Sequence, residues 1–537
     1  MRPRPGSTRQ VRGLSTERCL LHEHSEVDRR VAQGRSQGPR SDPPGVVTEA
    51  AGRRGPSRTT LTSAAIGLVL VAIALVVYSH NKPFRFYDHF EWQAEAFLEG
   101  QTAIRYPVEA TDDSAGNAFF NDVRQVPSND GVPRGDIPFP PLPAILLLPF
   151  VAAWGHDADG QFIFAVVGAI DVGIAWWALG GLPIRRWVRL AATLFFAFGT
   201  VLWYSAQIGT TWYQAHVLAV GLALLAVGVA LRADPQSAAD EDDLPEPEPE
   251  PEPAAPAEPA PPPGLGRVAS AFRDLRSGID GRQFLAGLLF GLACTARLTV
   301  LFAAPFFLLV GGGGTWLRRG FSAGLGAAVP VAALLLYNFA STGHILHPGY
   351  QFLYEQEAGF YTTLGYNLSW AIEDPRYIPQ NLGIMLFSTP AIEPTIYPAG
   401  LGGGRALCTD PAMIRGLFEP DCPMALPLDT GMSVILTSPA FLFALSALRR
   451  YGRSRAVTGA ALAVLIIAVV NLMHFSQCWV QFGYRFSLDF VPWALVLVAL
   501  GMERIRSAAG VAIAVVLVGL SIAINWWGVV WGNLLGW

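Results

Sequence analysis

Three carboxylates stand at i, i+3 and i+7 in the stretch FYDHFEWQAEAFLEG: Asp88, Glu91 and Glu95. On a helix that spacing puts them on one face, with Phe90, Ala94 and Phe97 as an apolar stripe beside it. The pattern suits an amphipathic helix lying on a membrane with its acids turned toward a cavity. A carboxylate so placed can act as general base on a hydroxyl, or help to hold a divalent metal such as Mg or Mn. A solvated helix face is the plainer use of the same residues. Asp88 is set apart by its aromatic neighbours and by following closely on an apolar run that ends near residue 79.

Other residues invite the same question. The stretch after this helix is rich in Asp and Asn, but their spacing is not that of a calcium loop, and turn chemistry explains most of them. Asp136, just ahead of a Pro-rich segment, is better placed to reach the cavity of Asp88. His344 and His347 form an H-x-x-H pair with no third ligand nearby, which is weak evidence for zinc. These two and His474 suit contacts to sugar or phosphate. Tyr350, Phe352, Tyr354, Phe360, Tyr361, Tyr366 and Trp370 could line a groove or anchor the chain at an interface. Arg297 lies between two short apolar segments and Arg485 at the mouth of another. A charge at membrane depth is costly and calls for a partner. A phosphodiester is one, and the guanidinium geometry suits it. Snorkelling of Arg297 to the interface, or an ion pair between Arg485 and Asp489, would serve as well. Asp171, inside an apolar run, reads as a hydrogen-bonded structural residue.

The elements that must position these residues are membrane helices. The chain has 537 residues, 51% hydrophobic and 15% charged, against about 25% charged in soluble chains. Apolar segments recur near 61–79, 162–180, 188–204, 212–231, 283–297, 298–312, 321–339, 432–448, 456–474, 486–501 and 508–527. The reading is an all-α polytopic membrane protein with about eleven spans, in a range of ten to thirteen. A further run, 137–155, has four prolines in its first seven residues and a fifth at Pro149. It leaves about 14 residues of helix, suited to the interface rather than to crossing.

Charge sets the orientation. With 137–155 not crossing, the Arg clusters at 185–189, 318–319, 449–455 and 504–506 fall on one side with the basic N-terminal tail, the cytoplasmic side by the positive-inside rule. The organisation expected is a disordered basic tail (1–59), a membrane module (60–231) with outer loop 80–161, an acidic Pro-rich cytoplasmic linker (232–282) and a second membrane module (283–537) with outer loop 340–431. Within the linker, residues 240–263 carry nine acids and no base, the composition of an extended spacer. The tail shows no apolar core or cleavage site of a signal peptide. Cys408 and Cys422 share an outer loop in an oxidising compartment, so a disulfide between them is expected; Cys478 is then left free, with Cys19 inside and Cys294 in the membrane. Nothing in the composition suits nucleic acid.

The order of motifs resembles the GT-C superfamily of membrane glycosyltransferases, which includes protein O-mannosyltransferases and lipid A aminoarabinose transferases. The acid soon after the first span in YDHFEWQAEAFLEG is followed by a D-x-P-x-P-P-L element in GDIPFPPLPAILLLPF. GLACTARLTVLFAAPFFLL (291–309), YNFASTGHILHPGYQF (337–352), RYIPQNLGIMLFSTPAI (376–392) and FGYRFSLDFVPWALV (482–496) agree with it. The resemblance implies a hexosyl- or pentosyltransferase using a polyprenyl-phosphate sugar donor at the outer face of the cell membrane. It acts among membrane lipids on a glycan, lipid or protein acceptor, with no certain cofactor. It makes Asp88 the catalytic base of an inverting transfer, with Asp136 and Glu91 as secondary acids. His89, Arg297, Arg485, His344, His347 and Tyr350 become substrate contacts. Where the family usually places a basic phosphate contact near its Pro-Pro-Leu element, this chain has Ile137 and Phe139. A transporter or lipid-linked sugar flippase is the alternative. Against it stand the absence of a visible internal repeat and the concentration of polar residues in outer loops.

Overall fold

The computed structural model describes residues 58–80, 87–105, 122–128, 131, 133–235, 278–360, 367–397, 404–477 and 480–537. The basic tail up to residue 57, the core of the acidic linker, Cys19, Cys478, Tyr361 and Tyr366 lie outside them. The first half runs α1 (Arg58–Ser79), α2 (His89–Leu98), β1 (Ile104–Arg105), β2 (Arg124–Val126), β3 (Arg134–Asp136), α3 (Leu142–Trp154), α4 (Gly160–Leu179), α5 (Arg186–Phe198), α6 (Leu202–Ile208) and α7 (Thr211–Ala233). The second half runs α8 (Gly281–Cys294), α9 (Ala304–Leu309), α10 (Trp316–Thr342), α11 (Gly349–Phe360), α12 (Ile378–Phe387), β4 (Ala391–Ile392), β5 (Ala425–Leu426), α13 (Val434–Thr437), α14 (Phe443–Ala447), α15 (Arg455–Met473), α16 (Val491–Glu503) and α17 (Ala508–Leu534).

Among the described residues, six helices are long and apolar enough to cross a membrane: α1, α4, α7, α10, α15 and α17. The pair α5 and α6, bent by 44°, makes a seventh if it is one span. The other expected segments are present as shorter or broken helices. The pair 283–297 and 298–312 is a hairpin: α8 descends for 14 residues, the chain turns at Arg297, and a 3-10 stretch (Leu298–Ala303) with α9 returns. Gln283 near the start of α8 donates to the carbonyls of Phe307 and Val310, closing that hairpin. The 432–448 segment is divided at Pro439, whose missing N–H and fixed φ break a regular helix. The proline-rich run at 137–155 forms α3, 13 residues beginning after Pro141. Two small sheets were not legible from the sequence, since strands of two or three residues show no alternation. In the larger, β3 is central and antiparallel to both β1 and β2.

The helix ends sort into two groups. At one end lie the Arg clusters: Arg185 bonds Glu503 and the Ile505 carbonyl, Arg189 and Trp176 meet Ser63, and Arg455 faces Asp234. At the other end, α2 and the small sheet meet the starts of α4 and α7 and the end of α10, while Phe418 of the second loop packs on Trp526 and Trp531 of α17. A disulfide joins Cys408 to Cys422 in that second loop. Cys294 is buried within α8.

Helix contacts are close where side chains are small. Gly287 and Gly291 on α8 face Ala323 and Ala327 of α10, and Gly326 faces back onto Phe284. A Cβ at Gly287 would overlap the Ala323 backbone carbonyl. Such spacing lets helix backbones approach in an apolar medium where hydrophobic attraction is absent. Gly287→Val should therefore lower stability by about 1–3 kcal/mol through overpacking, read as a fall in thermal midpoint in detergent. Gly324→Ala, with open space around its Cβ position, should leave the midpoint unchanged.

Candidate active site

The site is organised by the first turn and a half of α7, whose residues reach two clusters. Thr211, Trp212 and Gln214 hold the first loop. Tyr213 and His216 hold a deeper charged group.

On the first-loop side, the Thr211 hydroxyl oxygen accepts the backbone N–H of His89 at 3.1 Å and stands 3.0 Å from the Tyr87 carbonyl and from His89 Nδ1. The far side of the imidazole, Nε2, meets Asp122 Oδ1 at 2.8 Å. Trp212 donates its indole N–H to Asp122 Oδ2 at 3.1 Å. His89 and Asp122 are both buried. Both nitrogens of the His89 ring have protein partners, which tie the loop to α7 and to Asp122. Asp122 was missed in a run that reads as turn chemistry, and only the tertiary contact with α7 distinguishes it.

The three acids of α2 part company. Glu95 pairs with His156, whose ring packs at a tilt against Trp92. Glu91 is buried, receives the Gln214 amide at 3.4 Å, and keeps Oε2 without a partner. It fits only because Gly160 opens α4: a Cβ there would overlap the Glu91 carboxyl. Burial first, then the charge of Asp88, pushes the Glu91 pKa up to about 8, so it holds its proton at neutral pH. Asp88 occupies the N-cap of α2, yet its side chain does not cap the helix. Burial raises its pKa above the ordinary carboxylate range, against the lowering effects of His89, His156 and a hydrogen bond from Trp92.

Asp136 ends β3, where the register sets it opposite Arg124 of β2. Arg124 Nη2 lies 2.8 Å from Asp136 Oδ2, and Arg124 Nε has no partner. Burial raises the Asp136 pKa despite Arg124. The small sheet thereby brings a cation beside the Pro-Pro-Leu element, where the linear sequence offers only Ile137 and Phe139. The second loop closes over this point. Tyr350 packs edge-on against Phe139 at 6.4 Å, which in turn contacts His89 and Phe90. His347 bonds the Gly349 N–H, and burial followed by the charge of Arg124 holds its pKa down to about 4. His344 is exposed. His474 pairs with Glu373 at the end of α15, away from these acids' hydrogen-bond network.

In the deeper cluster, Asp489 is fully buried. Arg297 approaches both of its oxygens at 3.2 and 3.1 Å, Thr299 donates at 2.8 Å and Asn471 at 3.3 Å. His216 Nδ1 stands 3.0 Å from Asp489 Oδ1 without hydrogen-bond alignment. Arg485 is buried with its guanidinium over the Tyr213 ring at 4.7 Å. The ion pair with Asp489 is thus made by Arg297, not by Arg485, because the hairpin turn after α8 delivers Arg297 to it. Asp171, in α4, faces Gly221 with Oδ2 unpartnered rather than hydrogen-bonded.

Among the described residues, no three His, Cys, Asp or Glu side chains gather into a metal-ion site. Asp122 and Asp136 are engaged by donors and Glu91 carries its proton, so these acids do not fit a bound divalent metal. What the arrangement can do is accept a proton at Asp88 beside an apolar, aromatic wall.

No family model matches the chain, and no curated protein matches it. Two solved structures match the chain at low identity. ArnT from Cupriavidus metallidurans, solved bound to undecaprenyl phosphate, is 13% identical with a TM-score of 0.44, over 84% of this chain and 62% of its own. The oligosaccharyltransferase from Archaeoglobus fulgidus, in the apo form, is 12% identical with a TM-score of 0.39, over 87% of this chain and 56% of its own. The chain spans about three fifths of the length of each.

Two outcomes follow from the buried groups. Glu91 binds a proton in the folded chain up to about pH 8, whereas an unfolded Glu releases it near 4.5. Its contribution to stability therefore declines as pH rises between those values. Thermal midpoints of the wild type should fall across that window relative to Glu91→Gln, which removes the titration. Arg297→Ala strands the Asp489 charge and should cost about 3–5 kcal/mol, with Arg297→Ala/Asp489→Asn recovering much of the loss.

Proposed function

We propose that this protein is an integral membrane glycosyltransferase that moves a sugar from a polyprenyl-phosphate donor to an acceptor hydroxyl, with inversion and with Asp88 as base. The observation that supports the reading is the engagement of the neighbouring acids. Of the described acids from Asp88 to Asp136, Glu95 is paired with His156, Glu99 with Arg105 and Arg134, Asp122 with His89, and Asp136 with Arg124. Glu91 is protonated. Asp88 and Glu91 alone among them face no ion-pair partner, and with Glu91 holding its proton Asp88 is the one left to act; its raised pKa makes it a stronger base than an exposed Asp.

In the reaction, the acceptor oxygen attacks the anomeric carbon as its proton passes to Asp88. The bond from that carbon to the phosphate oxygen breaks, and the polyprenyl phosphate leaves with the electron pair. Phosphate is a good leaving group, so one carboxylate base is enough for inversion. A protonated Glu91 adds no second negative charge beside Asp88. Arg124, with its Nε open, suits the lipid phosphate better than Arg297, which already serves Asp489. The Arg-rich helix ends are assigned to the cytoplasm and the site to the outer face.

Transfer from radiolabelled polyprenyl-phosphate sugars, measured in membranes, tests this. Asp88→Asn should lower the rate by about 10²–10⁴-fold with folding intact. Wild-type activity should rise with pH through an inflection above the ordinary carboxylate range. Equal transfer by both proteins removes Asp88 from the mechanism, and no transfer by either favours a transporter.

A further inference from the structure

A second feature lies on the other flank of Glu91. Between α3 and the first half of α4 runs a cavity of about 550 Å³, within the range of small-ligand pockets. Its walls are apolar: Leu146, Phe150 and Trp154 from α3, and Phe162, Val166 and Ile170 from α4. The polar residues of its lining are Asp157 and Asp159, together at one end. That end is the site end. Asp159 caps α4 beside Gly160, on which the Glu91 carboxyl rests, and its charge is felt at Glu91. His156, next to Asp157, packs at a tilt against the same Trp92 that bonds Asp88. Phe162 and Ile170 are exposed on a helix of membrane-spanning length, so the groove opens toward the hydrocarbon.

We infer that this groove holds the hydrocarbon chain of a lipid acceptor whose head group carries no negative charge, and presents its hydroxyl to Asp88. The inference rests on the transferase reading and names the acceptor class within it. Charge decides the occupant. A polyprenyl phosphate seated here would bring its anion against Asp157 and Asp159, with no cation in the lining. An uncharged, hydroxylated head meets two exposed acceptor carboxylates instead. The donor phosphate then belongs with Arg124, which stands beside Asp136 and does not line the groove. An acceptor held by its chain on one side and a donor by its phosphate on the other place the attacking and leaving oxygens on opposite faces of the sugar, as inversion requires.

The test uses the full chain in nanodiscs and two diazirine-bearing lipid probes, a glucosyl diacylglycerol and a polyprenyl phosphate. Labelled peptides are mapped in the wild type, in Val166→Trp, which fills the groove from a lining position, and in Asp157→Asn/Asp159→Asn. The uncharged probe should label α3 and α4 at least five-fold above α17, a lipid-facing control, and Val166→Trp should abolish that excess. The polyprenyl phosphate should show no excess in the wild type and gain it in the doubly neutral variant. Equal labelling by both probes in the wild type, or labelling of the groove no higher than α17, overturns the inference. Donor consumption in the same nanodiscs separates the two readings. Asp88-dependent consumption without selective groove labelling leaves the transferase and removes its lipid acceptor. Selective labelling without any consumption leaves a lipid-holding groove but removes the transferase, and with it the acceptor role.

Discussion

The opening turns of α7 are the constraint on which the rest of the site depends. Thr211, Trp212 and Gln214 fix the first loop through His89, Asp122 and Glu91, while Tyr213 and His216, on the other faces of the same turns, meet Arg485 and Asp489. A rigid helix carries both sets, so the loop acids and the deep cations keep a fixed relation that no loop could impose. Thr211, Trp212, Tyr213 and the Gln214 amide N–H each have a protein hydrogen-bond partner, and leaving one unmet would cost about 1–3 kcal/mol. The network therefore stabilises one arrangement strongly over its alternatives.

Small residues make the arrangement sterically attainable. Gly160 leaves room for the Glu91 carboxyl, Gly221 for Asp171, and Gly287 with Gly291 for the backbone of α10. The same device thus serves two ends. In the bundle it lets helices approach where lipid removes the hydrophobic drive; at the site it lets the protonated Glu91 lie buried beside Asp88. Burial raises the pKa of both, and the charge of Asp88 adds to the rise at Glu91.

Much of this was legible in the linear chain. Apolar runs located the long helices to within a few residues, the prolines of 137–155 marked a short helix, and the Arg clusters sorted the loops to one end. Asp88 stood out by its place after the first apolar run. Asp122 and Arg124 did not, because the stretch around them carries the Asp, Asn, Pro and Gly of ordinary turns, and nothing in its periodicity shows which of them will be buried. The partner of Asp489 was also hidden. Nearness in sequence points to Arg485, and the hairpin after α8 brings Arg297 to it instead.

Sequence by itself determined that the chain is a helical membrane protein, which of its ends carries the positive charge, and that the acids follow the first span. These are properties of composition and local spacing, and each can be read within a window of about twenty residues. Tertiary structure alone decided which acids are left without an ion pair, which of them carries a proton, and where a cation meets the Pro-Pro-Leu element. Those depend on contacts across separations such as that of Glu91 from Gln214 or Arg297 from Asp489. Burial and pairing are set by what folds against a residue, and a carboxyl's charge follows from both.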